Sequence, residues 1–259
     1  MSAADRILGR TALVTGAGSG LGRVISLALG FAGANLILVG RRAQTLDSVA
    51  REVASKGALV RTVVTDVSDP GSVEALQGKV AEEEISILIN NAGVAGPVSV
   101  LWEVSPDDWD EVFATNVRGT YLMCRAFIPA MIRRRTGDVI NIASVSGKRP
   151  LAGRTPYTSS KMAVIGLTAT LAHEAGPFGV VVNCLSPGPV RGPRMDRNFT
   201  LEAERTGKSR AAAEEDFVSR SALGRMIEEE EVGAAIIAML NMPGLAGADV
   251  DLSAGMVAR

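Results

Sequence analysis

Tyr157 and Lys161 stand four residues apart in the run Tyr157-Thr158-Ser159-Ser160-Lys161, and Ser144 lies thirteen residues upstream. On a helix turning ~100° per residue, positions four apart share one face, roughly 40° from each other. A phenol is then set beside an ammonium. A free phenol titrates near ~10, and an adjacent positive charge favours phenolate and draws that value towards neutrality. Such a group can give a proton to an alcohol or carbonyl oxygen, or take one from it, at ordinary pH. A serine hydroxyl reaching the same space would hydrogen-bond that oxygen as charge develops on it. Tyr and Lys at this spacing are also an ordinary surface pair, so the rest of the chain must supply a reason for their company.

The elements that would hold them read as strand and helix in alternation. Thr11–Thr15 is a short β-prone run ending at Gly16, and Leu21–Phe31 has helical composition. Asn35–Gly40 is continuously apolar, as a parallel strand buried on both faces should be. Ala43–Ser55 carries helical spacing and stops at Gly57; Leu59–Thr65 is a third strand, Gly71–Ala81 a helix and Ser86–Asn90 a fourth strand. Ser105-Pro106 opens a long helix to about Arg135, with serine as its cap and proline in its first turn. Asp138–Ala143 is strand five, and Thr155-Pro156 opens the helix that carries Tyr157 and Lys161 to about Glu174. Val180–Leu185, a helix over Glu228–Leu240 and a short strand over Asp249–Leu252 complete the series. Seven strands and six helices in this order predict an α/β Rossmann fold: one domain over 1–259, a doubly wound seven-stranded parallel sheet with helices on both faces. The stretch from Pro187 to about Arg225, rich in Pro, Gly and Arg, is read as irregular, with a substrate loop over about 188–225.

Composition narrows the function. The 259 residues are 47% hydrophobic and 21% charged, ample for one large core, and the net charge is -1. A nucleic-acid or membrane-surface partner would ask for a basic excess. No uncharged apolar run approaches the ~18 residues of a membrane span, and Met1–Arg6 carries charge where a signal peptide has its apolar core. Cys124 and Cys184 sit in apolar runs, as buried reduced thiols do, and a cytoplasmic location is expected.

Between the first strand and the first helix runs Thr15-Gly16-Ala17-Gly18-Ser19-Gly20-Leu21-Gly22. Glycines there let the backbone turn tightly, approach a pyrophosphate and pack the helix against the sheet, while the helix start offers free amides and positive dipole. The spacing is G-x-x-x-G-x-G, not G-x-G-x-x-G, and no Gly-Lys-Ser/Thr follows, which argues against a nucleotide hydrolase. At the end of the second strand an acid would hold the ribose hydroxyls of NAD, and an arginine the 2′-phosphate of NADP. Gly40-Arg41-Arg42 contains no acid. NADP(H) is favoured, with NAD(H) possible.

The glycine turn, Asn90-Asn91-Ala92-Gly93, Asn116, Ser144, Tyr157-x-x-x-Lys161 and Pro187-Gly188 occur in one order. As a set they resemble the short-chain dehydrogenase/reductase family, over about residues 8–256. The resemblance implies an NAD(P)(H)-dependent oxidoreductase that interconverts an alcohol and a ketone or aldehyde. It implies Gly16, Gly20 and Gly22 at the pyrophosphate, with the Ser19 and Leu21 backbone, and Asp66 and Val67 at the adenine. It implies Asn90 beside the ribose, with Asn91-Ala92-Gly93 steadying the sheet, and Pro187-Gly188-Pro189-Val190 closing over the nicotinamide. Tyr157 would be the general acid/base, Lys161 would bind the nicotinamide ribose and lower the Tyr157 pKa, and Ser144 would orient the substrate. Asn116 would hold a water linking Lys161 to solvent. The chain departs from the family at Ser253-Ala254-Gly255, where many members have paired glycines.

Other classes fit less well. The one histidine, His173, lies twelve residues past Lys161, roughly 120° round the same helix, so a Ser-His-acid hydrolase lacks its base. No G-x-Ser-x-Gly elbow and no His/Cys cluster suited to a metal is present. The alternative is a catalytically silent nucleotide-binding regulatory protein on the same fold. An epimerase or dehydratase would usually bring a larger C-terminal portion. For substrate, Lys148, Arg149, Arg154, Arg191, Arg194 and Arg197 raise the hypothesis of an anion such as an acyl-carrier thioester, a carboxylate or a sulfonate; a polyol, sugar or cyclic alcohol fits equally. The helices from Pro106 and Pro156 carry apolar residues on more than one face, and the resemblance makes them a subunit interface, so a homotetramer, otherwise a dimer, is expected.

Overall fold

The computed structural model describes residues 6–55 and 57–257. The sequence reading of the first five residues lies outside them. Seven parallel strands form one sheet: β1 (Thr11–Thr15), β2 (Asn35–Gly40), β3 (Val60–Val64), β4 (Ile85–Asn90), β5 (Gly137–Ile142), β6 (Val180–Pro187) and β7 (Asp249–Leu252). Their order is β3-β2-β1-β4-β5-β6-β7. From β1 the chain winds one way to β3, then returns past β1 and winds the other way. The reversal between β1 and β4 is the switch point at which doubly wound sheets open a crevice at their carboxyl ends.

Alternation along the strands builds the core. In β1, Ala12 and Val14 face a layer with Ile25 and Leu29 of helix α1 (Gly20–Phe31), Leu46 of α2 (Ala43–Ala54) and Ile236 of α9 (Glu229–Leu240). Leu13 faces the opposite layer, with Leu76 of α3 (Pro70–Lys79), Phe127 of α5 (Gly119–Arg134) and Ala172 of α6 (Thr155–Ala175). Burial on both faces explains why the central strands read as continuous apolar runs. Each fully buried Leu or Ile adds about 1.5–3 kcal/mol to the hydrophobic term.

The expected strands and helices lie within one or two residues of those observed, with two exceptions. The helix expected from Pro106 to Arg135 is α4 (Pro106–Phe113) and α5, joined by a π-helical turn over Ala114–Arg118. That turn contains Asn116. The stretch read as irregular holds α7 (Pro193–Thr206) and α8 (Arg210–Val218). Pro193 starts α7, Ser209 caps α8 by accepting from the Ala212 amide at 3.1 Å, and the two helices meet through Phe199 and Phe217, ring centroids 5.9 Å apart. This helical pair roofs the crevice.

Candidate active site

The glycine turn fits a dinucleotide by its geometry. Gly16 takes φ 65°, and a Cβ there would lie 2.9 Å from the Ala92 Cα. Gly20 takes φ 50° and has nothing within 4 Å of a Cβ position, because it faces the cleft. Gly18, Ser19 and Leu21 also line the cleft. The first turn of α1 contains no acidic residue and Ser19 forms no side-chain cap, so the opening amides keep their hydrogens for an anion. Gly22 serves the packing of the helix onto the turn. It does not line the cleft, and a Cβ there would collide with the Gly16 carbonyl oxygen.

Arg41, Arg42, Asp66 and Val67 border the same cleft. Asp66 Oδ1 accepts from the Ser68 amide at 2.9 Å and the Ser68 hydroxyl at 2.7 Å. The Ser68 hydroxyl bond holds the carboxyl below its ordinary range against partial burial, helped by Arg41 and Arg118. The Asn90 side chain is turned into the sheet. Its amide donates to Asn141 Oδ1 at 2.8 Å inside the sheet, tying β4 to β5, and it stands away from the cleft. The cleft-lining residue is Asn91, whose side chain donates to the Thr15 carbonyl at 2.9 Å.

Tyr157 and Lys161 lie one turn apart on α6, buried on the face turned to the cleft. Ser144 lies two residues past β5 and leads a 3₁₀ turn, Val145–Gly147, whose Ser146 amide bonds its hydroxyl at 3.2 Å. Gly147 lets that turn press flat on α6, since a Cβ would lie 2.9 Å from the Met162 nitrogen. The Ser144 hydroxyl thereby reaches Tyr157. Lys161 Nζ donates to the Ile142 carbonyl at 2.7 Å and stands 5.8 Å from the Tyr157 ring centroid. Burial alone would raise the Tyr157 pKa. Arg194, then Lys161, oppose it and with the Ser144 bond bring the phenol down to about 8. Burial, with Arg194 adding repulsion, holds Lys161 below its ordinary value against the attraction of Tyr157.

Asn116 lies behind this pair and not in the cleft wall. Its side chain accepts from the Val94 amide at 2.8 Å and donates to the Val94 carbonyl at 3.0 Å and the Ser160 hydroxyl at 2.9 Å. Ser160 in turn donates to the Tyr157 carbonyl at 2.7 Å. Any link from Lys161 to solvent through Asn116 therefore runs by its main chain, at the π-helical turn. On the far wall, Pro187, Gly188 and Val190 line the cleft, with Val190 bridged to Ile227.

Two basic residues named from the sequence form ion pairs. Lys148 pairs with Asp249 at 2.7 Å and with Asp251, and Arg191 pairs with Glu228 at 3.1 Å. Arg149, Arg154, Arg191 and Arg194 line the cleft, and Lys148 does not. His173 is exposed, and among the described residues no group of His, Cys, Asp or Glu gathers to hold a metal ion. Cys124 and Cys184 are buried and free, with burial pushing each thiol up to about 12. The role that sequence reasoning missed is that of Arg194, whose side chain, in the first turn of α7, comes within 5.2 Å of the Tyr157 ring centroid.

The cleft encloses about 920 Å³, running from the glycine turn to Tyr157 and the underside of α7. A family model described as short chain dehydrogenase matches residues 10–203. The chain belongs to the short-chain dehydrogenases. Among curated relatives of this short-chain dehydrogenase, galactitol 2-dehydrogenase (L-tagatose-forming) of Cereibacter sphaeroides is 38% identical over 241 residues, covering 90% of this chain and 88% of that one. The 3-oxoacyl-[acyl-carrier-protein] reductase of Thermotoga maritima is 32% identical over 234 residues, 90% of each chain. Among solved structures, a single-substitution variant of actinorhodin polyketide ketoreductase with NADPH superposes with TM-score 0.91 at 28% identity, covering 96% of this chain and 97% of that one. The protein is accordingly an oxidoreductase that interconverts alcohols and carbonyl compounds with an NAD(P) nucleotide.

Proposed function

We propose that Tyr157 is the proton carrier of this oxidoreductase. The observation that carries the reading is the phenol held at the cleft floor between Ser144 and two cations, with its pKa lowered to about 8. The bound nicotinamide supplies or accepts the hydride. In reduction, the Tyr157 hydroxyl gives its proton to the carbonyl oxygen as the carbon is reduced, while Ser144 holds that oxygen by a hydrogen bond that strengthens as charge grows. The phenolate left behind is stabilised by Lys161 and Arg194, then reprotonated from solvent. Oxidation runs the same steps backwards, with the phenolate taking the alcohol proton. Asn116 acts at one remove, fixing Ser160 and the Val94 backbone beside Lys161.

The cofactor is held by the free amides at the α1 start, by Asp66 and Val67 at the adenine end and by Lys161 at the nicotinamide ribose. Arg41 and Arg42 support NADP(H) over NAD(H), since two guanidiniums and no carboxylate follow β2. The chain works as one domain. Exposed Tyr121 and Met162 on α5 and α6 support a homo-oligomer, tetramer or dimer, through these helices. Free buried thiols support a reducing cytoplasm. The test is a parallel screen of alcohols and ketones with NAD and NADP, run on the parent and on Tyr157→Phe. Turnover in the parent that falls by about 10²-fold or more in the variant supports the reading; a Tyr157→Phe variant as fast as the parent refutes it.

A further inference from the structure

The reacting end of the cleft is lined by Arg149, Arg154, Lys161, Arg194 and Arg220. Two carboxylates lie on the whole cleft wall, Asp66 at the adenine end and Glu229 beside Gly192. Neither is among the groups that act on Tyr157. Among the described residues the ion pairs engage none of Arg149, Arg154, Arg194 and Arg220. Arg154 is 7% exposed, and its guanidinium stands 5.7 Å from the Tyr157 ring centroid, while that of Arg194 stands 5.2 Å from it. Burial and the nearby Arg194 both disfavour the Arg154 charge, yet guanidinium stays protonated in proteins. Contact with the ring compensates only part of the cost of burying a cation. An unpaired, buried guanidinium with a second, exposed one near the same catalytic phenol is stabilised by an anion that both can reach.

We propose that the substrate is a hydroxy acid and its product an oxo acid (or the reverse), with the carboxylate held between Arg154 and Arg194. The inference rests on Tyr157 as the proton carrier and adds the substrate class. Both guanidiniums flank the phenol itself, so the carboxylate lies within a few bonds of the reacting carbon. A phosphate at the far end of a longer chain would sit beyond their reach. The planar fork of arginine matches a carboxylate by paired hydrogen bonds. Five like charges lining the reacting end of the cleft also draw an anion in. The reaction balances without another reactant: the C–H hydride passes to the nicotinamide, the O–H proton to Tyr157, and the carboxylate is unchanged.

The test pairs acids with neutral esters: 3-oxobutanoate with its methyl ester, and pyruvate with methyl pyruvate, each reduced with NADPH. The parent is expected to favour the acid, and Arg154→Gln and Arg194→Gln are each expected to cut kcat/KM for acids about 30-fold or more. The ratio of acid to ester should fall with it, while NADPH affinity and the melting temperature stay near those of the parent. Arg154→Lys should recover part of the ratio. A parent that favours esters, or an acid preference that survives both substitutions, overturns the assignment and leaves Tyr157 in its role. If acids and esters all fail to react, binding decides the anion question. The phenolate absorbance of Tyr157 is then titrated in a Tyr121→Phe background. The titration midpoint depends on Arg194, Lys161 and Arg154, the charged groups facing that ring. Malonate should raise it, dimethyl malonate should not, and Arg154→Gln should abolish the rise. No rise with malonate, or a rise with inorganic phosphate alone, overturns the carboxylate site.

Discussion

The Arg194 guanidinium stands 5.2 Å from the Tyr157 ring centroid, nearer than Lys161 Nζ at 5.8 Å. The phenol is thus acidified from two sides, from its own helix and from α7. Oxidation needs the phenolate, so its rate should climb with pH through about 8 and level off above; reduction needs the phenol, so its rate should be flat below about 8 and fall above. Arg194→Gln removes one of the two cations and should move both inflections upward, towards the ordinary phenol value of ~10. Steady-state pH profiles of kcat/KM in the two directions check this. Inflections that stay put in the variant would assign the acidification to Lys161 and Ser144.

Gly20 and Gly22 should fail differently when given a methyl group. At Gly22 the Cβ collides with the Gly16 carbonyl oxygen, a backbone contact that cannot yield cheaply, so Gly22→Ala should destabilise the fold by about 1–3 kcal/mol. At Gly20 the Cβ meets nothing, and the left-handed φ costs about 1–2 kcal/mol. The methyl there projects into the cleft, so Gly20→Ala should lose cofactor affinity out of proportion to its change in melting temperature. Thermal melts with and without NADPH separate the two.

Lys148 is a structural cation. Its side chain is 4% exposed and joins the segment after Ser144 to Asp249 and Asp251 on β7. Lys148→Met would leave two carboxylates facing each other with no counter-ion, and breaking a buried pair from one side costs about 3 kcal/mol. That corresponds to a fall of roughly 6–12 °C in melting temperature for a chain of this length. Adding Asp249→Asn and Asp251→Asn should restore part of it, because the repulsion goes with the charges. A single variant that melts with the parent would show the pair to be dispensable.

The parts legible in the sequence are those with a local signature. Strands buried on both faces leave unbroken apolar runs such as Asn35–Gly40, and the Tyr157–Lys161 pair is a matter of residue type and helical spacing. The illegible parts depend on neighbours far along the chain. Lys148 reads as a free cation because its partners lie more than a hundred residues on. Asn90 and Asn91 are adjacent, and only the pleat of β4 decides which enters the sheet and which reaches the cleft. The π-helical turn at Asn116 adds no compositional mark to an otherwise helical stretch. In α7, Phe199 is the one buried side chain, so polar composition hides a helix whose stability comes from docking against α8.

Arg41 and Arg42 bear on the last prediction because both are exposed at the cleft edge, where α2 begins beside the glycine turn. The Arg42 carbonyl already accepts from the Thr45 hydroxyl at 3.0 Å, so the backbone there is anchored and the guanidiniums are free to reach a 2′-phosphate. Replacing both with Ala should raise KM for NADP(H) about 10–100-fold, since each charged hydrogen bond contributes about 1.5–3 kcal/mol and exposure discounts it. KM for NAD(H), which lacks that phosphate, should stay within a few-fold of the parent value. The parent's KM for NADP(H) should also climb with ionic strength, as solvent-exposed charge pairs are screened over ~10 Å at 0.1 M salt. Equal losses with both nucleotides would mean that these arginines support the turn and do not read the phosphate.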